Sequence, residues 1–441
     1  MHRDELAEIR ILSRLDKLTN YLNNLKANNF ASTSSIIFIE DILKIIKIIQ
    51  SNFVNIAPAN YHNFENFLDD HILEFCAFIE RTTPAYIPWS LLQEIEKICK
   101  TFIDKDIGIV IKTDLKYNYY VHNINLIDFI IVNLSKYLGD LNDLDNNNFH
   151  KTRIFTIPLL EKNNALLHSI FFHEIGHYHH SIYEEHVDKP QKILSDIFEK
   201  RYPPPPNNDT ALYDYSQATL ILKGAIREIY SDIYAYKYCG PSIIFALRYF
   251  YHKYPTFMLP SKDNKYYPPF LRRIRILFDI IKNDNTLEYF ENNKDKGDFY
   301  YTIFNELNEI DKFLGNDEDI TNLWSPPYCY AYEALENIIP DILADVQNHA
   351  QLFDCKKSTI HPVLFKCLLE SIPPCEILGE PQLLVDILFA GWSAYFYTIQ
   401  SADNINIKMQ RINLINNLIL KAVTQSYFMS EYKTLKNGNT E

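Results

Sequence analysis

The sequence predicts a predominantly helical α+β protein, on three observations. Only ten glycines occur in 441 residues, about a third of average usage, so few positions can form tight backbone turns. Apolar residues at helical spacing dominate both ends of the chain. Between them, β-branched and aromatic runs of strand length lie at 107–121 and 153–157.

Residues 1 to about 100 read as successive amphipathic helices, with Ile11, Leu15, Leu18 and Leu22 on one stripe and a second apolar run from Ile42 to Ile49. Pro84, Pro88 and a helix start at Trp89-Ser90 mark a boundary. Residues 107–111 and 117–121 are expected to be strands joined by a turn around Asp114, and Ile154-Phe155-Thr156-Ile157 a third strand closed by Pro158. They make a small sheet whose edge strand could pair with an extended peptide; the sequence leaves open which strand that is. Asn163 or Asn164 is placed to cap the next helix, whose apolar surface comprises Ala165, Leu166, Ile170, Phe171 and Phe172.

The proline run at 203–206, with Asn207, Asn208 and Asp209, reads as a loop. After about residue 290 the chain is mainly helical, with a charged connection from Glu291 to Asp298 and loops at Pro326-Pro327 and Pro373-Pro374. The longest apolar stretch, Leu383 to Ile399, is interrupted by Asp386, Gly391 and Ser393 and is expected to be a buried helix. A polar tail from Thr434 should fray. The resulting organisation is an N-terminal helical region (1–100), a core (101–290) and a C-terminal helical region (291–441).

The motif with most chemical content is His173-Glu174-Ile175-Gly176-His177. On a helix, residues four apart share a face, so both imidazoles can reach one metal ion and Glu174 projects beside it. A carboxylate there can take the proton of a water whose pKa zinc has lowered to about 7. Gly176 adds weight, because glycine inside a helix costs about 1 kcal/mol relative to alanine and calls for a reason, such as close approach of another helix or of substrate.

A catalytic zinc takes a third protein ligand. Glu184 lies seven residues past His177, roughly 10 Å along the axis, too far to share the ion. A third histidine two turns on would be the metzincin arrangement, but His180 and Tyr183 stand at those positions. Glu228 is the better candidate. Ile226, Ile229, Ile233 and Tyr236 recur at helical spacing, while Glu228 and Asp232 share another face. Glu228 could then bind the metal while Asp232 accepts a hydrogen bond from a ligating histidine.

HExxH followed by a helix bearing Glu228-Ile229-Tyr230-Ser231-Asp232 resembles the gluzincin metallopeptidases, and this segment is similar to that of the thermolysin-like enzymes. The resemblance covers roughly residues 150 to 240. It implies a zincin-like catalytic core in which His173, His177 and Glu228 bind one Zn2+ per chain, Glu174 is the general base and Asp232 orients His173. The spacing from His177 to Glu228 is longer than in thermolysin, and a loop inserted at 203–209 would account for it. Tyr267-Pro268-Pro269-Phe270-Leu271-Arg272-Arg273-Ile274 is similar to the His-Pro-Pro-x-x-x-Arg-Ile element of zinc peptidases related to the CAAX prenyl proteases, with Tyr267 in place of the histidine. Tyr267 could donate to the oxyanion of a tetrahedral intermediate and Arg273 could support an active-site carboxylate. The alternative is a proline-initiated helix whose arginines 272, 273 and 275 are solvated.

A net charge of −13 argues against a general nucleic-acid binder. Seven cysteines without a CxxC pair read as reduced thiols of a cytoplasmic protein, and Met1-His2-Arg3-Asp4-Glu5 opens a charged helix rather than a signal peptide. His179, His180 and His186 follow the motif where exposure is expected, and His361-Pro362 reads as a helix start. Tyr328, Tyr330 and Tyr332 could line a pocket, but tyrosine is abundant throughout, so they are expected in the core. Taken together, the sequence points to a zinc-dependent peptidase acting on a peptide or protein substrate, without stable membrane insertion. The alternative is a catalytically silent zincin-fold binding or regulatory protein.

Overall fold

The computed structural model describes the chain except residues 1–2, 31, 84, 86, 103–104, 117, 123–125, 140–148, 183–187, 202–208, 252–267, 316–325, 350–352, 355–359, 402–403 and 439–441. It is mostly helical with a small sheet. By internal contacts it divides into two compact units, Met1–Asn163 and Asn164–Glu441.

The first unit opens with α1 (Arg3–Lys26) and α2 (Thr33–Asn52). The stripe Ile11, Leu15, Leu18 and Leu22 is buried, as its spacing requires, in one core with Phe38, Ile42, Ile45 and Ile49. Ser32 caps α2 by accepting from the Ser34 N–H (3.0 Å), and both serines donate to the buried Glu96 carboxylate (2.7 and 2.8 Å). α3 (Tyr61–Phe67), a π-helical segment (Leu68–Leu73) and α4 (Glu74–Glu80) run on to α5, which starts at the expected Trp89 (Trp89–Phe102).

β1 (Gly108–Asp114), β2 (Tyr120–Val121), α6 (Leu126–Leu138) and β3 (Thr152–Pro158) complete this unit. The Asp114 turn is present, with Oδ1 accepting from the Lys116 N–H (3.2 Å). The two strands that flank it do not pair with each other, because β3 lies between them. β3 runs parallel to β1, from Gly108 opposite Thr152 to Asp114 opposite Pro158, and antiparallel to β2. A parallel pair needs a long crossover, which the segment carrying β2 and α6 supplies. Burial of five consecutive β1 residues, 109–113, fits a strand covered on both faces. β1 and β2 are therefore the edges of the described sheet.

In the second unit a 3-10 turn (Ala165–Ser169) leads into α7 (Ile170–Ile182), followed by α8 (Asp188–Arg201) and the long α9 (Asp209–Cys239). Then come α10 (Ser242–Tyr251), α11 (Phe270–Asn283), α12 (Thr286–Asn293), α13 (Asp298–Gly315), α14 (Pro326–His349) and α15 (Ile360–Leu369). A short hairpin of β4 (Glu376–Ile377) and β5 (Glu380–Pro381) precedes α16 (Leu384–Ser401) and α17 (Ile405–Gly438). α9 packs against both α7 and α14. It ends at Gly240, whose φ of 61° suits glycine and whose added Cβ would meet Phe353 Cδ1 at 2.4 Å.

α16 is the buried helix expected of the apolar stretch, with Trp392 stacked on Phe396 at 5.5 Å. No helix among the described residues is long and apolar enough to cross a membrane. Together with α17, α16 anchors the turn that aims α7. Asn416 accepts from the Leu166 N–H (3.3 Å), and Gly391 leaves room for the side chains of Leu166 and Ile419.

Three local expectations are corrected. Asn164 stands at the N-cap position but its side chain makes no capping bond. The backbone donors that would need it are taken by Asn416 and by the Asn164 carbonyl, which accepts from the Leu167 N–H (3.1 Å). Pro326-Pro327 opens α14 instead of forming a loop, since proline at a helix start forfeits no intrahelical bond. The tail beyond Thr434 stays helical to Gly438, continuing the long α17. The 202–208 part of the proline-rich loop lies outside the described residues.

Candidate metal centre

The centre is built where α7 crosses α9. His173 and His177 sit one turn apart on α7, with ring centroids 4.5 Å apart. α9 brings Glu228 across both: one carboxylate oxygen lies 3.4 Å from His173 Nε2 and the other 3.3 Å from His177 Nε2. Tetrahedral zinc with bonds of about 2.0–2.1 Å places neighbouring donor atoms about 3.3 Å apart, and each imidazole nitrogen stands at that distance from one of the two carboxylate oxygens. Glu174 belongs to the same cluster: ligand atoms of His173, Glu174 and His177 all lie within 4.8 Å of one another, and all three residues are buried. Glu228 Oε2 is buried and makes no hydrogen bond. Its nearest charged neighbours are His173 Nε2 and Arg273 Nη1, the latter at 3.5 Å.

The far nitrogen of each imidazole is also engaged. His173 Nδ1 lies 2.8 Å from Asp232 Oδ1. Asp232 is in turn gripped by Arg273, whose Nε and Nη2 each donate at 2.7 Å to a different carboxylate oxygen. His177 Nδ1 lies 2.9 Å from Ser231 Oγ, whose hydroxyl also bonds the Arg227 carbonyl at 2.9 Å. The structure thus brings Asp232 and Arg273, both singled out in the sequence, together beside His173. Ser231 has no role in the sequence reading. The available signal was its place three residues past Glu228, on the flank of the same face.

Gly176 makes the crossing possible. A Cβ there would stand 2.7 Å from Ser231 Cα and 3.1 Å from its Cβ and carbonyl oxygen. The absent side chain lets the backbone of α9 approach closely enough for a serine hydroxyl and short carboxylates to reach the α7 imidazoles. Of the two reasons offered for this glycine, close approach of another helix applies.

Electrostatics follow from burial and neighbours. Burial opposes protonation of His173, but the charge and hydrogen bond of Asp232, helped by Glu228, outweigh it and hold the ring up at about 9. Burial pushes His177 down to about 3 despite Glu228, with His173 and the nearby arginines adding positive charge. Asp232 touches only the first ring, so without a metal the proton shared by this pair resides on His173. Burial resists ionisation of Glu228, yet His177, His173 and Arg273 draw its carboxyl down to about 2. Asp232 is held well below the usual carboxylate range, against its own burial, chiefly by Arg273. Both carboxylates are thus anions ready for a cation, which would displace the proton on His173 Nε2.

The solvated alternative for the arginines is corrected. Arg273 is 2% exposed, Arg272 pairs with Glu336, and Arg275 donates to the Leu314 carbonyl at 3.1 Å. The helix does begin at the proline pair, with Pro269 at its N-cap, but neighbouring helices cover its basic side. Exposure of His179 is corrected as well: it is fully buried, with Nδ1 2.7 Å from the Tyr230 hydroxyl, which donates to Asp345 (3.0 Å). These two bonds tie α7, α9 and α14 together beside the His173–Glu228 cluster. His361 starts α15 and bonds Asp386 at 2.8 Å; Tyr330 and Tyr332 are core residues, whereas Tyr328, also expected there, is only partly buried. Tyr267, Tyr183, His186 and the His180 side chain lie outside the described residues.

No protein-family model matches this chain. No curated protein and no solved structure matches it either.

Proposed function

We propose that the protein is a zinc-dependent metallopeptidase with a zincin-like core and one zinc ion per chain, acting on a peptide or protein substrate in the cytoplasm. The observation that carries the reading is the Glu228 carboxylate spanning His173 Nε2 and His177 Nε2 at 3.4 and 3.3 Å, with Glu174 in the same buried cluster. The donor set, two imidazoles and one carboxylate, suits zinc, and three ligands would leave a position for water and substrate. His173, His177 and Glu228 would hold the ion. Once bound, zinc would polarise the scissile carbonyl and lower the pKa of water at the site.

The chain's own groups divide the remaining work. Glu174 accepts the proton of the attacking water and later delivers it to the leaving amine. Asp232, braced by Arg273, keeps the His173 ring aimed at the ion. Tyr267 or another nearby donor would stabilise the developing oxyanion.

Metal analysis of purified full-length protein is expected to find about one zinc per chain, lost in Glu228→Ala. Glu174→Gln should keep its zinc and lose cleavage of a peptide library. Full zinc occupancy in Glu228→Ala would sink the ligand assignment. A zinc-loaded wild type that cleaves nothing, while Glu174→Gln binds the same partner equally well, would favour the catalytically silent module.

A further inference from the structure

We propose that Ser231 is a positioning residue of this centre: its hydroxyl oxygen accepts the Nδ1–H of His177 and so directs the Nε2 lone pair at the metal. The inference rests on the metal-site reading above and assigns the orienting partner of the second histidine.

Ser231 Oγ is 2.9 Å from His177 Nδ1 and 2.9 Å from the Arg227 carbonyl oxygen. A serine hydroxyl carries one proton and two lone pairs. A histidine that binds a cation through Nε2 keeps its proton on Nδ1, so the ring must donate there. The hydroxyl proton then goes to the Arg227 carbonyl, and both bonds run in one consistent direction. Ser231 is fully buried, so the interaction is formed away from bulk water.

The fold supplies the reach. Ser231 Cα stands 2.7 Å from the point a Gly176 Cβ would occupy, so the shortest hydroxyl side chain suffices. Asp232, the next residue, performs the equivalent task for His173 at 2.8 Å. Two consecutive residues of one helix thus set the two imidazoles of the other, one through a charged acceptor and one through a neutral acceptor.

The test compares full-length wild type, Ser231→Ala and Ser231→Thr, using zinc itself as the probe. Competition with a chromophoric chelator should show zinc affinity about 10- to 100-fold weaker in Ser231→Ala. Ser231→Thr keeps a hydroxyl that can bond the carbonyl four residues back and should restore most of the affinity. In zinc-loaded protein labelled with 15N-histidine, the His177 Nδ1–H should exchange slowly in wild type and quickly in Ser231→Ala. The His173 Nδ1–H should be equally protected in both, a pattern that general loosening of the helices would not produce. Wild-type affinity in Ser231→Ala, or unchanged protection of the His177 proton, overturns the role of Ser231 alone. Failure of the wild type to bind zinc overturns the metal-site reading and this role with it.

Discussion

Replacing Gly176 with alanine sets helix propensity against packing. In an isolated helix the change would stabilise by about 1 kcal/mol. Here the new methyl would sit 2.7 Å from Ser231 Cα and 3.1 Å from the Ser231 Cβ and carbonyl oxygen. The first obstacle is backbone, so it cannot swing aside as a side-chain tip would. Restoring ordinary contact requires α7 and α9 to part by roughly 0.7 Å, and overpacking of this kind costs about 1–3 kcal/mol. The two effects leave a net loss between about zero and 2 kcal/mol in metal-free protein. The metal centre should suffer more. A shift of that size stretches the Glu228–imidazole spacings to about 4 Å, beyond the tolerance of about 0.2 Å on zinc–ligand distances. Urea unfolding of the metal-free protein and chelator competition measure the two quantities separately. Zinc affinity is expected to fall at least tenfold, while unfolding of the metal-free protein loses no more than about 2 kcal/mol. A variant that gains the full propensity benefit and binds zinc like wild type would refute the argument that this glycine exists for the helix crossing.

Other perturbations have equally definite outcomes. Arg273→Met leaves the fully buried Asp232 without its paired donors and should cost about 3–5 kcal/mol in urea unfolding. Asp232→Asn should weaken zinc binding about 10- to 100-fold in chelator competition. Stripping the metal with a chelator should lower thermal stability, and returning zinc at about 100 times its Kd should restore about 2.7 kcal/mol. In the first unit, burial and then the Lys112 charge push His122 from 6.5 down to about 4, despite Asp114. The folded pKa lies below the unfolded one, so stability is fully present above 6.5 and is lost as pH falls through that value toward 4. Urea midpoints taken from about pH 7.5 to about pH 5 should fall more steeply for wild type than for His122→Gln.

The candidate centre was legible where its geometry depends on local spacing. His173 and His177 fall on one face because they are four apart on α7, and Glu228 and Asp232 do so on α9 for the same reason. Arg273 could be singled out by its place after the proline pair, but not its burial, which neighbouring helices impose. Ser231 escaped notice because its task arises only at a crossing that joins positions 54 residues apart. His179 misled for a related reason: an amphipathic reading allows α7 one covered face, whereas both α9 and the Tyr230–Asp345 contact close over another. The N-terminal stripes of α1 and α2 were readable at single-residue level, since each is a repeating local pattern. The insertion of β3 between β1 and β2 was not, because strand order is a matter of long-range pairing that short apolar runs do not encode.

The contact between Gly176 and Ser231 also makes a statement about how such a chain can vary. A larger residue at 176 displaces α9, and at 231 only a side chain that is both small and hydroxyl-bearing keeps the helices close and serves His177. The two positions are therefore expected to change together or not at all among descendants that keep this helix crossing. A homologue in which 176 has grown should show compensation at 231, and with it a different partner for the second histidine. Covariation of this pair would offer a sign of metal binding that the HExxH spacing alone does not provide.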